Sequence, residues 1–202
     1  MVCTNCNLTQ APDLKDLIKK SLIVEVQGTK IGILGFVTPD TELQSKPKPV
    51  TFEEESQALN EEIARMKQED SNLQIFIGLG HSGYERDQKI AQSVPDLDLV
   101  VGGHTNSFLF SGKTPGREEA VGKYPTIFTR PSGKKVLVVQ AYAYTKYLGH
   151  LKMTFDDKGD LKSWEGNPIL LSQDMPQGKV KLCLKSFNLT LDIWFNLQMR
   201  TS

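Results

Sequence analysis

A repeated pattern between residues 73 and 106 constrains the fold of this chain more than any other feature. One apolar run leads through glycine to a histidine at residues 75–81, and a second does the same at residues 97–104. Short runs rich in Ile, Val and Leu are typical of strands buried on both faces. Residues 84–94 between them are polar, with apolar residues at helical spacing, so the unit is predicted to be strand, helix, strand. Such a crossover makes the strands parallel and places both histidines at one edge of the sheet.

His81 and His104 are therefore candidate metal ligands. Neutral imidazole is the commonest metal ligand in proteins, and two rings from neighbouring strand ends could share one ion. We interpret the glycine before each histidine as functional, because a residue without a Cβ lets the histidine ring approach a bound group. The alternative is that glycine and polar residues only mark the turn at a strand end. That alternative is favoured for either histidine alone, and the repetition favours a site.

The two histidine motifs resemble those of a known family. Gly-Leu-Gly-His-Ser-Gly at 78–83 and Val-Val-Gly-Gly-His-Thr-Asn at 100–106 are similar to the motifs of the 5'-nucleotidase and apyrase branch of the metallophosphoesterases. Further similarity to ecto-5'-nucleotidases follows in the same order along the chain at 90–92, 122–125, 138–143, 146–149 and 166–171. The resemblance covers about residues 22–171.

This resemblance implies an α/β fold, namely a layered α-β-β-α metallophosphoesterase-like sandwich that is incomplete at its N-terminus. A partial, calcineurin-like catalytic domain is expected at residues 1–174. A divergent C-terminal tail is expected at residues 175–202, where alternating apolar residues predict strand and the resemblance ends.

The resemblance also implies an activity, the hydrolysis of nucleoside 5'-monophosphates such as extracellular AMP to nucleoside and phosphate. In the family, two divalent metal ions, usually zinc, hold and polarise the phosphate while a bound water attacks phosphorus. His81 and His104 match metal-binding positions, and Asn106 matches an asparagine that helps to hold the nucleotide. His150 matches no ligand position. Apyrases share these motifs, so hydrolysis of nucleoside di- or triphosphates is the alternative activity.

The predicted site has only part of the family's ligand set. The family's other ligands lie in an Asp-x-His motif, a further Asp and an Asn-His-Glu motif, none of which this sequence matches. No catalytic residue is therefore assigned, and zinc requires about four ligands. The family's nucleotide-binding domain is likewise not matched. Two further hypotheses follow, a catalytically silent module that binds a nucleotide or one metal, and a fragment without a function of its own.

Composition narrows the partners and the compartment. Lys plus Arg equals Asp plus Glu at 24 each, so no overall charge favours nucleic acid. No apolar run is long enough for a membrane span, and no signal segment or lipid anchor is recognised. An extracellular or cell-surface location and a possible homodimer are implied by the resemblance alone. Cys3 and Cys6 have redox or zinc spacing, but an incidental thiol pair is favoured because no second pair follows.

Local signals predict the remaining elements. Two β-prone runs at 22–26 and 31–37 predict a hairpin. Thr51 followed by Glu54 predicts a helix that begins with a capping box at Thr51. Short strands dominate after residue 126, which favours layered sheets over a barrel.

Overall fold

A six-stranded sheet lies at the centre of the protein, as seen in a computed structural model that describes residues 1–26, 28–173 and 175 and the backbone of 190–195. In chain order the strands are β1 (Cys6–Asn7), β2 (Ser21–Val26), β3 (Thr29–Val37), β4 (Thr51–Phe52), β5 (Ile75–His81), β6 (Leu99–Val101), β7 (Thr126–Thr129), β8 (Lys135–Val139), β9 (Tyr147–Phe155), β10 (Leu161–Glu165), β11 (Ile169–Leu170) and β12 (Thr190–Phe195). The helices are α1 (Thr41–Gln44), α2 (Glu55–Glu69) and α3 (Tyr84–Ser93), with a 3-10 turn at Pro12–Leu14.

The central sheet has the strand order β2-β3-β5-β6-β8-β7. Strands β3, β5, β6 and β8 are parallel, whereas β2 and β7 pair antiparallel at the two edges. The predicted hairpin is therefore confirmed as β2–β3. The predicted strand, helix, strand unit is confirmed as β5, α3 and β6, and its two strands are direct neighbours.

Helices α2 and α3 cover one face of the central sheet. They contribute apolar side chains at helical spacing to a buried cluster that includes Leu59, Ile63, Met66, Ile90 and Ala91. Each such side chain stabilises the fold by about 1.5–3 kcal/mol when it leaves water. This cluster explains why the chain between the two histidine motifs folds as a helix against the sheet rather than as a loop.

A second sheet, formed by β9 with β10, β11 and β12, covers the opposite face. Alternate residues of β9, Leu151, Met153 and Phe155, join a second buried cluster with side chains from the central strands. The layers are therefore helices, central sheet and second sheet. The predicted layered α/β sandwich is confirmed.

Two local predictions were wrong. Thr51 does not begin a helix, because Thr51–Phe52 pairs antiparallel with Cys6–Asn7. The helix begins at Glu55 instead, and the Glu54 side chain caps it by accepting a hydrogen bond from the Gln57 N–H. The terminal cysteines are not a free thiol pair either, because Cys3 and Cys6 form a disulfide.

Most of the predicted tail, residues 175–202, lies outside the described residues, except for Met175 and the backbone of β12. In the part of the chain that is described, no helix combines the length and the apolar character that crossing a membrane requires.

Candidate active site

The two predicted metal ligands meet at the carboxyl edge of the central sheet. His81 is the last residue of β5, and His104 follows the end of neighbouring β6 by three residues. Their ring centroids are 4.9 Å apart, and His81 Nε2 lies 3.2 Å from His104 Nδ1. The predicted convergence of the two rings is confirmed, whereas their role as metal ligands stays a prediction.

The distance between these two nitrogens suits either of two arrangements. A single proton could bridge them as a hydrogen bond. Alternatively, both could bind one zinc ion, because Zn–N bonds near 2.0–2.1 Å at a tetrahedral angle place two nitrogens about 3.4 Å apart. His81 Nδ1 is buried and has no hydrogen-bond partner among the described residues. The geometry therefore fits a shared cation without requiring the rings to move apart.

The protonation of His81 also suits a ligand. Burial lowers the pKa of His81 below its usual value, and the nearby His104 ring lowers it further. A neutral imidazole keeps a lone pair for a metal, which a protonated one does not. At neutral pH His81 is therefore in the state that ligation requires.

Two glycines of the histidine motifs, Gly80 and Gly102, make room for buried side chains. A Cβ at Gly80 would overlap the Phe36 ring, and a Cβ at Gly102 would overlap the Asp87 carboxylate. Both neighbours are buried side chains of the protein. For Gly80, which directly precedes His81, the missing Cβ therefore makes room for Phe36 and not for a bound group. The interpretation for Gly103, which directly precedes His104, stays a prediction.

The loop after β6 carries the third predicted residue, Asn106. His104 and Asn106 have φ angles of 75° and 52°, a left-handed conformation that is uncommon for residues other than glycine. Asn106 is exposed at this edge, two residues beyond His104. The structure therefore places Asn106 beside the histidine pair, and its contact with a nucleotide stays a prediction.

Two further residues at this edge were missed from the sequence. Gln140 follows β8 directly, and its side chain bonds to the loop that carries His104. Asp87 lies on α3 and bonds to Gln140. Burial raises the pKa of Asp87 to about 7. Gln140 could have been found by the strand-end rule that found the histidines, because it is a polar residue at the end of a third parallel strand.

The described residues contain no group of three or more His, Cys, Asp or Glu side chains that could hold a metal ion. The third histidine, His150, lies on β9 in the second sheet. Within the part of the chain that the structure describes, the predicted ligands of a cation site therefore number two, fewer than the about four that zinc requires.

Known proteins are similar to most of this chain. The 5'-nucleotidase of Rattus norvegicus is 43% identical over 184 residues, which cover 90% of this chain and 32% of the relative. The 5'-nucleotidase of Homo sapiens is 43% identical over 172 residues, covering 84% and 30% respectively. The chain thus spans about a third of the length of the curated relatives it matches. No family model matches it.

Solved structures agree with the sequence comparison. A 5'-nucleotidase precursor from Thermus thermophilus superposes with a TM-score of 0.78 at 34% identity, covering 84% of this chain and 33% of that one. An NAD nucleotidase from Haemophilus influenzae gives a TM-score of 0.77 at 26% identity, covering 84% and 30%. The fold and the sequence therefore resemble the same group of proteins.

Proposed function

The chain belongs to the 5'-nucleotidase family, as a part of its catalytic domain, and from this premise we propose that it takes part in the metal-dependent hydrolysis of nucleoside 5'-monophosphates. The observation that carries the proposal is the 3.2 Å approach of His81 Nε2 to His104 Nδ1 at the ends of two adjacent parallel strands. In this proposal residues 1–174 form the partial catalytic domain, and AMP is the expected substrate.

Each residue of the site has a distinct part in the proposed chemistry. His81 and His104 would hold one divalent cation, zinc by family resemblance, through Nε2 and Nδ1. When bound, such a cation neutralises the negative charge of a phosphoryl group. Asn106, exposed on the same loop, offers amide donors and an acceptor to the nucleotide. The remaining ligands of the two-metal arrangement, and the residue that protonates the leaving group, are not assigned to this chain.

A second candidate function is a catalytically silent module that binds a nucleotide or one metal ion. It is favoured by the small donor set, because the described residues hold no group of three or more metal-binding side chains. Two imidazoles can retain a cation weakly, whereas zinc in a stable site has about four ligands.

Hydrolysis and binding separate these two functions. AMP hydrolysis is measured with zinc present for the wild type, for the His81→Ala, His104→Ala double variant and for His150→Ala as a matched control on β9. Hydrolysis should disappear in the double variant and persist in the control. Calorimetry should show zinc binding at least about 100-fold weaker in the double variant. Changing a residue that only orients a ligand typically costs about 10- to 100-fold, and here both proposed ligands are removed.

The outcomes assign the function. Equal hydrolysis in the wild type and the double variant would remove the claim of catalysis at this pair. Zinc or AMP binding without turnover would support the silent module instead. Hydrolysis of ADP in preference to AMP would favour the apyrase-type alternative.

The proposed location is extracellular or at the cell surface. The Cys3–Cys6 disulfide supports it, because such bonds persist in oxidising compartments and are rare in the cytosol. To test this location, the free thiols of protein isolated from its source are blocked, and thiols are then counted before and after reduction. Two thiols that appear only after reduction would show that Cys3 and Cys6 are oxidised in that compartment. A homodimer is proposed from the family alone.

A further inference from the structure

A single buried side chain joins both ends of the loop that presents His104. The Gln140 side chain is 1% exposed. Its Nε2 donates to the Gly103 carbonyl at 3.0 Å, and its Oε1 accepts from the Ser107 N–H at 3.1 Å. These two backbone groups lie immediately before His104 and immediately after Asn106. Gln140 therefore closes the loop across its base.

Asp87 determines which way the Gln140 amide points. Its Oδ2 accepts a second hydrogen bond from Gln140 Nε2 at 2.6 Å, and its side chain is fully buried. If the amide were reversed, its oxygen would face the Asp87 carboxylate and the Gly103 carbonyl, while its NH2 would face the Ser107 N–H. The contacts at Gly103 and Ser107 would then be between like groups, and so would the contact at Asp87 whenever its carboxyl is ionised. The observed orientation is the only one that satisfies all three partners.

Helix α3, which carries Asp87, lies between His81 and His104 in the chain. Helix α3 begins three residues after His81, and its first residue, Tyr84, donates its N–H to Thr105 Oγ1 at 3.1 Å. The loop is thus fixed to the helix after His81 at two points, through Thr105 and through Gln140 with Asp87. Left-handed backbone at a residue other than glycine costs of the order of 1–3 kcal/mol and persists only where its surroundings enforce it.

We propose that Gln140 and Asp87 are positioning residues, which hold the 103–107 loop so that the ring of His104 faces that of His81. Gln140 acts through its hydrogen bonds to the backbone of the loop, and Asp87 acts through Gln140. The position of the loop follows from these hydrogen bonds, whereas its consequence for metal binding rests on the proposed function.

The test measures the geometry of the rings directly. Nuclear Overhauser contacts between the ring protons of His81 and His104 are recorded on the whole isotope-labelled chain without metal. In Gln140→Met, which keeps the length but loses the amide, these contacts should disappear while those within the core are kept. Gln140→Asn is the milder second variant, since an amide one methylene shorter cannot reach all three partners. Asp98→Asn is the matched control, because Asp98 is also a buried polar residue but lies at the amino end of β6, away from the loop.

A role in general stability alone predicts a different result. It would lower the melting temperature in Gln140→Asn and in Asp98→Asn alike and leave the contacts between the rings in both folded variants. Selective loss of those contacts on changing Gln140 supports positioning. Wild-type contacts in Gln140→Asn, or loss of equal extent in Asp98→Asn, would overturn it. If Gln140→Met does not fold, Gln140→Asn decides.

A zinc titration provides the second measurement. Changing a residue that orients a ligand typically weakens metal binding about 10- to 100-fold, and Gln140→Asn should fall in that range. If the wild-type chain itself binds no zinc, the metal part of the proposed function fails. The contacts between the rings still decide whether the Gln140 amide, through which Asp87 acts, positions the loop, so the two failures are distinguishable.

Discussion

The two ends of strand β6 both bury polar groups, but only one of them carries backbone strain. At the amino end, the fully buried Asp98 accepts a hydrogen bond from the Phe76 N–H at 2.9 Å and pairs with Lys134 at 3.1 Å. At the carboxyl end, His104 has a left-handed backbone, and His81 Nδ1 has no partner among the described residues. Asp98 Oδ1 and Arg130 Nε at the amino end also lack a hydrogen-bond partner among the described residues, although Lys134 neutralises Asp98. The left-handed backbone therefore distinguishes the carboxyl end, and strain of this kind clusters at functional sites.

At the amino end of β6, buried charged groups bind mainly to other groups of the protein and stabilise the sheet. Lys134 also donates to the Asp96 carbonyl, and the Arg130 guanidinium donates to the carbonyls of Ala91, Val94 and Pro95. Each cation there meets acceptors of the protein itself. At the carboxyl end, His81 Nε2 and His104 Nδ1 instead face each other at 3.2 Å.

The largest expected difference between the two ends is in their response to pH. Burial raises the pKa of Asp87 to about 7, against an ordinary value near 3.9. The folded chain then keeps a proton that the unfolded chain has lost, so the stability contributed by Asp87 is present below about pH 4 and is lost as the pH rises to about 7. The unfolding free energy of the wild type minus that of Asp87→Asn should fall by up to about 4 kcal/mol between pH 4 and pH 8.

Urea denaturation at a series of pH values measures this difference. Asp98→Asn is the control at the other end. Burial also raises the pKa of Asp98, to about 6, with Lys134 opposing the shift, so its window should close at lower pH. His81, whose pKa burial lowers, acts in the opposite direction below about pH 6.5 but is common to all three proteins and cancels. A difference that does not change with pH would contradict the prediction.

Removing the Asp98 side chain should come next in size. Asp98→Ala leaves the buried Phe76 N–H without its acceptor and Lys134 without its partner, which should lower the unfolding free energy by about 3 kcal/mol. Chemical denaturation at pH 8 measures it. Asp96→Ala is the control, because the half-buried Asp96 pairs with Lys67 at the surface and its loss should cost no more than about 1 kcal/mol. A weakening of zinc binding in Asp98→Ala would break the distinction between the two ends.

The smallest expected effect has the opposite sign. In His104→Gly the left-handed backbone at φ 75° no longer carries a steric penalty, so the unfolding free energy should rise by about 1 kcal/mol while zinc binding is lost. Tyr144→Gly is the matched control, because Tyr144 has φ 57° and is 86% exposed. It should gain similar stability and keep any zinc binding. A clear loss of stability in His104→Gly alone would show that the ring packing outweighs the strain.

The sequence predicted the parts of this structure that local patterns control. The repeated runs at 75–81 and 97–104 predicted β5 and β6, and the parallel crossover then required the histidines to share an edge. The start of α2 was predicted wrongly at Thr51, because the pairing of Thr51 with Asn7 depends on residues far away in the chain. Local capping signals cannot reveal a competing partner of that kind.

The residues behind the site were harder to predict. Gln140 carries the same strand-end signal as His81, but glutamine is not among the usual ligand types of zinc, so a search for ligands passes over it. Asp87 has no local signal at all, since its burial follows from the close approach of Gly102, which only the folded chain shows. The convergence of the two histidines was therefore predictable from the sequence, whereas the hydrogen bonds behind their loop were not.

Gly102 has a consequence for mutational scanning of this chain. Because even a methyl group there would collide with Asp87, every replacement should be poorly tolerated, although nothing suggests that Gly102 ever meets a nucleotide. Intolerance at this position would reflect the close packing of Gly102 against Asp87. A map of sensitive positions would therefore overstate the area that contacts the substrate.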